Sequence, residues 1–314
     1  MKISVITPNY NHAQFLEKSI QSVLNQTQVV EEYILIEDAS TDNSKHIIKK
    51  FKKDFPIKTV FHSKNQGILK NLNEGLKLAS GDFILFLAAD DFLEPSLIEE
   101  YKKYLEEYPD VGFICSRSYK VDIHSNKIAE YGVSKHIPTG FIPASQAKHL
   151  IFRYGPWFYG NTILLNRKKA LEGGGFNPDL LSYTDGYVYL SLALRCGIVY
   201  IDKVLSNCRR HEESYSMDTY RNIRKLSHIK KEVLNSMKSE PQLFTKFFIK
   251  RWIQRWEYLE FNATLISHRH LPSFVKLLLS AGGYLYYRWF DLLNLRLLDV
   301  KAFLRECRQS KVSS

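Results

Sequence analysis

Gly81-Asp82-Phe83-Ile84-Leu85-Phe86-Leu87-Ala88-Ala89-Asp90-Asp91 decides how this chain is read. Phe83 to Leu87 is continuously apolar, which suits a strand covered on both faces. Two acids follow it, and Pro95 lies just beyond. Open α/β sheets bind ligands in the crevice outside the carboxyl ends of their strands. Asp90 and Asp91 therefore stand where a ligand is expected. Adjacent carboxylates repel each other unless positive charge lies beside them. A divalent cation carrying a diphosphate supplies such charge. The plainer alternative is an acidic turn, with Asp91 capping the helix that Pro95 helps to start.

Upstream of this stretch, short apolar runs alternate with helical patterns. Strands are expected at Ile3–Thr7, Glu32–Glu37, Lys58–His62 and Phe83–Leu87, and helices at Ala13–Asn25, Asp42–Phe55 and Ile68–Ala79. Strands separated by helices imply a parallel, doubly wound sheet. Downstream, a helix is expected at Pro95–Tyr108, strands at Val111–Ser116 and Ile198–Ile201, and a helix at Tyr187–Cys196. Residues 117–180 are less regular and rich in Gly, Pro and aromatics, including Gly155-Pro156-Trp157-Phe158-Tyr159-Gly160-Asn161. Loops of this kind form substrate pockets or plain connections. After Ser216 the pattern turns almost wholly helical, which puts a domain boundary there: residues 1–216, then a helical region over 217–314.

The 314 residues carry a net charge of +11, with 45% hydrophobic and 25% charged residues, a globular composition. The charge is lopsided. Residues 215–314 hold 18 Lys and Arg against 8 Asp and Glu, whereas the first 214 nearly balance. Such asymmetry suggests contact with an anionic surface. Lys2 to Thr7 reads as a strand and not as a secretory leader. The four cysteines are scattered without Cys-x-x-Cys spacing, as expected of free thiols in a reducing cytosol.

Each strand end carries its own cluster. Thr7-Pro8-Asn9-Tyr10-Asn11-His12 suits a loop that grips a flat base; it has neither the glycines of a dinucleotide site nor those of a P-loop. In Glu37-Asp38-Ala39-Ser40-Thr41-Asp42, Asp42 reads as a helix cap, while Asp38 can accept a hydrogen bond from a nucleobase or ribose. Asn65-Gln66-Gly67 opens a helix bearing Lys70, Asn71 and Asn73.

In this order, Val-Ile-Thr-Pro-Asn-Tyr-Asn, Glu-Asp-Ala-Ser-Thr-Asp, Asn-Gln-Gly, Ala-Ser-Gly-Asp-Phe and Ala-Ala-Asp-Asp resemble glycosyltransferase family 2 over about residues 1–216. The resemblance implies a GT-A fold, with a doubly wound, mostly parallel sheet flanked by helices. It implies a nucleoside-diphosphate sugar donor, UDP-linked by preference, inversion at the transferred carbon, and Mn²⁺ or Mg²⁺. It assigns Thr7, Pro8 and Asn9 to the base, Asp38 to a nucleobase hydrogen bond, and Asn65 and the cation Lys70 to the donor crevice. Asp90 becomes the metal ligand, with Asp91 beside it. The first Asp of the family's Asp-x-Asp is Ala88 here, so one contact is absent or supplied elsewhere. Gly174-Gly175-Phe176 followed by Thr184-Asp185-Gly186 resembles the element whose Asp is the general base, which assigns that role to Asp185; a helix N-cap is the bland reading. Arg209-Arg210-His211 resembles the family's rim segment, with Arg210 toward the diphosphate and His211 a further metal ligand.

In the C-terminal third, Phe247, Phe248, Trp252, Trp256, Tyr258 and Phe261 interleave with Lys250, Arg251 and Arg255. Residues 274–298 are apolar but interrupted by Lys276, Arg288, Asp291 and Arg296, too charged to span a bilayer. Two readings fit: an amphipathic element in an anionic membrane interface, or a helical subdomain that packs its aromatics on the catalytic domain or a second subunit. No nucleic-acid module is recognisable. The expected partners are a nucleotide-sugar donor, a glycan or lipid-linked glycan acceptor and an anionic membrane surface. The expected location is the cytoplasm, extending to the inner face of its membrane. The rival from another class is a membrane-associated binding protein that keeps the fold without turnover, favoured by Ala88 and Thr184. The sequence leaves the oligomeric state open.

Overall fold

A computed structural model describes residues 1–131, 137–210, 219 and 222–267, with side chains as far as Glu257. The chain divides into two compact units, residues 1–214 with 232–245, and residues 215–231 with 246–314. The division falls where the sequence turns helical, but the chain re-enters the first unit over 232–245.

The first unit is built on one ten-stranded sheet. Strands β1 (Ile3–Asn9), β2 (Glu32–Glu37), β3 (Lys58–Phe61) and β4 (Phe83–Phe86) are parallel, in the order β3-β2-β1-β4. They alternate with helices α1 (Ala13–Leu24), α2 (Ser44–Asp54) and α3 (Ile68–Leu78). β4 is buried along its whole length, as a continuous apolar run requires. Gly75 lets α3 close on the sheet: a Cβ there would lie 2.8 Å from Ile6 Cγ2. Connections leave β1 toward β2 on one side and return to β4 on the other, so the strand order reverses between β1 and β4.

The remaining elements are β5 (Phe92–Leu93), α4 (Leu97–Glu107), β6 (Phe113–Val121), β7 (Lys127–Tyr131), β8 (Gly140–Ile142), α5 (Ala144–Tyr154), β9 (Leu164–Asn166), α6 (Arg167–Glu172), α7 (Thr184–Cys196), β10 (Ile198–Arg209) and α8 (Ile223–Lys238). β9 runs antiparallel between β4 and β6, and β6 pairs with β10 in parallel. β6 and β10 are longer than the sequence suggests. Their far halves carry Ser118, Ser206 and Asn207, polar residues buried to 1% exposure or less, which break the apolar pattern of a strand. Ser118 Oγ donates to the Ser206 carbonyl, so part of this burial is repaid within the sheet. β10 also shifts register around Asp202 and Lys203. α7 starts at Thr184, earlier than the apolar pattern indicates.

In the second unit, α9 (Lys246–Ser267) stacks Trp252 on Trp256 at 4.8 Å. Trp256 Nε1 donates to the Leu226 carbonyl at 3.2 Å, and both tryptophans are buried. At these positions the aromatics fill a helical core within the second unit. Residues 274–298 lie outside the described residues. No helix among the described residues is long and apolar enough to cross a membrane.

Candidate active site

The carboxyl ends of β1, β2 and β4 meet at the reversal of strand order, the crevice such sheets offer to ligands. β1 runs two residues farther than expected. Thr7 and Asn9 are strand residues with 1% exposure or less: Thr7 Oγ1 meets Tyr33 Oη at 3.2 Å, and Asn9 Nδ2 donates to Glu37 Oε2 at 2.6 Å. Pro8 is buried between them. Their side chains brace the strand end. The exposed aromatic of this loop is Tyr10, at 42% exposure. Next to it, Asn11 adopts φ +56° and accepts from the Thr41 amide at 2.8 Å, joining this loop to the one after β2. Asp42 accepts from the Ala13 and Ser44 amides, the first N–H groups of α1 and α2, although the N-cap positions themselves are His12 and Asn43.

Asp38 also departs from expectation. It is 1% exposed, and its carboxylate accepts from His62 Nδ1 at 2.8 Å, the Gln66 amide at 2.8 Å and the Gly67 amide at 2.9 Å. Burial alone would raise its pKa, but these donors, with the Asn71 amide, hold it below the usual carboxylate range. A nucleobase N–H would have to displace one of them. Asp38 is the anchor of the Asn65-Gln66-Gly67 loop. In that loop Asn65 Oδ1 accepts from the Gly67 amide and Gln66 Oε1 from Lys70 Nζ, so Asn65 and Lys70 stand exposed on the rim.

Asp90 and Asp91 have opposite environments. Asp90 is half-exposed, whereas Asp91 is 6% exposed and accepts from the Arg209 amide at 2.7 Å. Burial, then the Asp90 charge, pushes the Asp91 carboxyl well above its usual range. Asp91 does not cap α4, whose N-cap is Ser96; its Oδ1 clamps the end of β10. Arg209, 3% exposed, donates through Nε to the Asp90 carbonyl at 2.9 Å and through Nη1 to the Asp122 and Ile123 carbonyls at 2.7 and 2.9 Å. Arg210 points elsewhere, its Nε donating to Tyr131 Oη at 3.2 Å, and Tyr131 stacks on Tyr159 at 4.7 Å.

Asp185 lies in the first turn of α7 but is not its N-cap, which is Tyr183. Its Oδ1 accepts from the Gly186 amide at 2.7 Å. Oδ2 packs on Gly160, where an added Cβ would lie 3.4 Å away. Burial pushes its pKa above the ordinary carboxylate value. Sheet register places this carboxylate relative to Asp90. Leu164 of β9 pairs with Leu85 of β4 in antiparallel sense, so the chain before Leu164 runs beside the residues after Leu85. The Gly160–Thr162 turn thus leads into β9 from beside the carboxyl end of β4, the strand that Asp90 follows, and Asp185 packs on that turn. Two further contacts tie the segment before Asp185 to β4 and α3: Phe176 meets Phe86 edge-on at 5.3 Å, and Asn73 of α3 exchanges two hydrogen bonds with the Phe176 backbone.

Among the described residues no three His, Cys, Asp or Glu side chains are grouped to hold a metal. A divalent ion at Asp90 would have to draw its other ligands from a diphosphate and water, the usual manner of Mg²⁺. His211 lies outside the described residues.

The family model described as "Glycosyl transferase family 2" matches residues 4–173. An uncharacterised glycosyltransferase of Rickettsia conorii, RC0461, is 42% identical over 211 residues, 66% of this chain and 33% of that protein. The cholesterol galactosyltransferase of Borreliella burgdorferi is 32% identical over 119 residues, 38% of this chain and 33% of that protein. The chain spans about a third or less of the length of the curated relatives it matches first. Among solved structures, S. aureus TarS 1-349 in complex with UDP-GlcNAc superposes with a TM-score of 0.61 at 20% identity, covering 94% of this chain and 90% of that one. The mannosyltransferase PcManGT of Pyrobaculum calidifontis, in complex with GDP-Man and Mn²⁺, gives 0.57 at 18% identity, covering 93% and 83%.

Proposed function

The chain belongs to glycosyltransferase family 2 with a GT-A fold, and from that premise we propose that it moves a sugar from a UDP-sugar to a hydroxyl of a glycan or lipid-linked glycan, with inversion. The observation that supports this reading is that Asp185 packs on the Gly160–Thr162 turn, which leads into β9 beside β4, the strand that Asp90 follows. Asp185 takes the proton of the acceptor hydroxyl while its oxygen bonds to the anomeric carbon from the face opposite the phosphate. The bond from that carbon to the phosphate oxygen breaks, and the nucleoside diphosphate leaves. Tyr10 offers its exposed ring for stacking on the base, a contact worth about 1–3 kcal/mol per base. Asn65 and Lys70 stand on the rim, where the Lys70 cation would offset the charge of a leaving diphosphate. A divalent ion held by Asp90 would supply the remaining charge neutralisation.

The second reading, a nucleotide-sugar-binding protein without turnover, draws on Ala88 and Thr184, where the family's usual acids are missing. A panel of nucleotide sugars with Mn²⁺ and glycan acceptors separates the two. Nucleoside diphosphate release that disappears in Asp185→Asn supports transfer. Release that persists in Asp185→Asn sinks the base assignment, and donor binding with no release under any pairing favours the binding protein.

A further inference from the structure

We propose that Arg209 is the positioning residue of the donor site, setting the main chain on which Asp90 is presented. The proposal rests on reading Asp90 as the metal-side carboxylate.

Three observations converge. First, Arg209 grips the Asp90-Asp91 turn at two points, through Nε to the Asp90 carbonyl and through its own amide to the Asp91 carboxylate. Second, the other arm of the guanidinium is committed to a different loop. Nη1 donates to the carbonyls of Asp122 and Ile123, and Nη2 donates to Ser125 Oγ at 3.0 Å. The planar fork of arginine serves diverging acceptors of this kind, which a lysine cannot reach together. Third, the guanidinium lies over the ring of Phe15 at 4.4 Å and near that of Phe92 at 5.7 Å. Both are attractive contacts for a cation shielded from water.

The result is a buried charge that spends its donors on backbone carbonyls and a hydroxyl. Its hydrogen bond to Asp90 fixes the direction in which that residue's side chain leaves the turn. Lost, the turn would keep its length but not its aim. Partners that orient a metal-ligating group without touching the metal typically matter by about ten- to hundredfold in metal affinity. Neighbouring Arg210 has a different surrounding, beside Tyr131, which separates the two arginines into a buried strut and a rim cation.

The test measures binding of UDP to the full chain by calorimetry, with and without Mn²⁺, in the wild type and in Arg209→Gln. Acceptor KM and thermal melting are followed in parallel. Wild type is expected to bind UDP more tightly with Mn²⁺. Arg209→Gln should bind UDP alone as well as wild type does, lose most of the Mn²⁺ increment, about ten- to hundredfold, and keep its acceptor KM. An undiminished increment overturns the positioning role alone. No increment in the wild type overturns the metal reading of Asp90 and this role with it. Arg209→Lys keeps the buried charge but only one donating nitrogen. It decides by the same criterion if the glutamine variant fails to fold, and a full increment there overturns the proposal.

Discussion

A carboxylate that must accept a proton gains from burial, and the same burial costs stability. Burial holds the Asp185 carboxyl above its ordinary range, which makes the group a stronger base near neutral pH. Its ionised form does the chemistry, so turnover should fall as pH drops through the raised value. That acid limb lies higher than an exposed aspartate would give, and a rate–pH profile reads it directly. Asp185→Asn should lower turnover about a hundredfold to ten-thousandfold. The stability sign is opposite. A raised folded-state pKa means the folded chain binds the proton more tightly, so this contribution is full below the unfolded value and lost as pH rises through the folded one. Asp185→Asn should therefore melt higher than wild type at neutral pH, and an equal or lower melting temperature would refute the linkage. Tyr10→Ala should weaken UDP binding by about 1–3 kcal/mol, read by titration, with the fold intact because the ring is exposed. The two residues differ in how legible they were. Asp185 stands in a recognisable motif, whereas Tyr10 is told from Thr7 and Asn9 only by where the strand ends, and no pattern in five residues marks that point.

At the scale of elements, α3 links the two halves of the site. Its N-terminal loop hangs on Asp38, and two turns later Asn73 receives the Phe176 amide at 2.9 Å and donates to the Phe176 carbonyl at 2.7 Å. The segment leading to Asp185 is thus indexed against the donor-side helix. Gly175 makes the approach possible: its φ is +70°, and an added Cβ would lie 2.7 Å from Asn73 Oδ1. Asn73→Ala should cost about 1–3 kcal/mol, since it leaves the Phe176 backbone unpaired. It should also lower kcat about a hundredfold, the typical effect of a misplacement near 1 Å, while donor KM changes little. Chemical denaturation and steady-state kinetics check both, and unchanged kcat would show that the lock serves folding alone. The parallel strands were legible because β2 and β4 are runs of mostly apolar residues and the strands alternate with helical patterns, although β3, Lys58–Phe61, is only half apolar. The far halves of β6 and β10 were not, because their interior positions are Ser118, Ser206 and Asn207, whose burial depends on partners distant in sequence. The clamp of Arg209 was hidden for the same reason: its acceptors are mainly backbone carbonyls, which no residue type announces.

At the scale of the whole molecule, the positive charge is concentrated in the C-terminal third of the sequence, and this bears on where an acceptor would be met. Residues 215–314 hold a ten-charge excess of basic over acidic side chains, 18 against 8. Trp252 and Trp256, which composition alone could have assigned to a membrane interface, are instead stacked and buried in the second unit. Attraction to a membrane therefore depends on the basic side chains and on residues 274–298. Each Lys or Arg near an anionic surface is worth about 1 kcal/mol, and the field decays within about 8 Å at physiological salt. The full chain is expected to float with vesicles containing phosphatidylglycerol at low ionic strength, to be released as salt is raised, and to ignore phosphatidylcholine vesicles. Flotation that survives high salt would mean that apolar insertion over 274–298 holds the chain, with charge only guiding it there. A chain that stays in the dense fraction with anionic vesicles removes the membrane from the account. The basic third would then serve packing, and the acceptor would have to be a glycan met in solution.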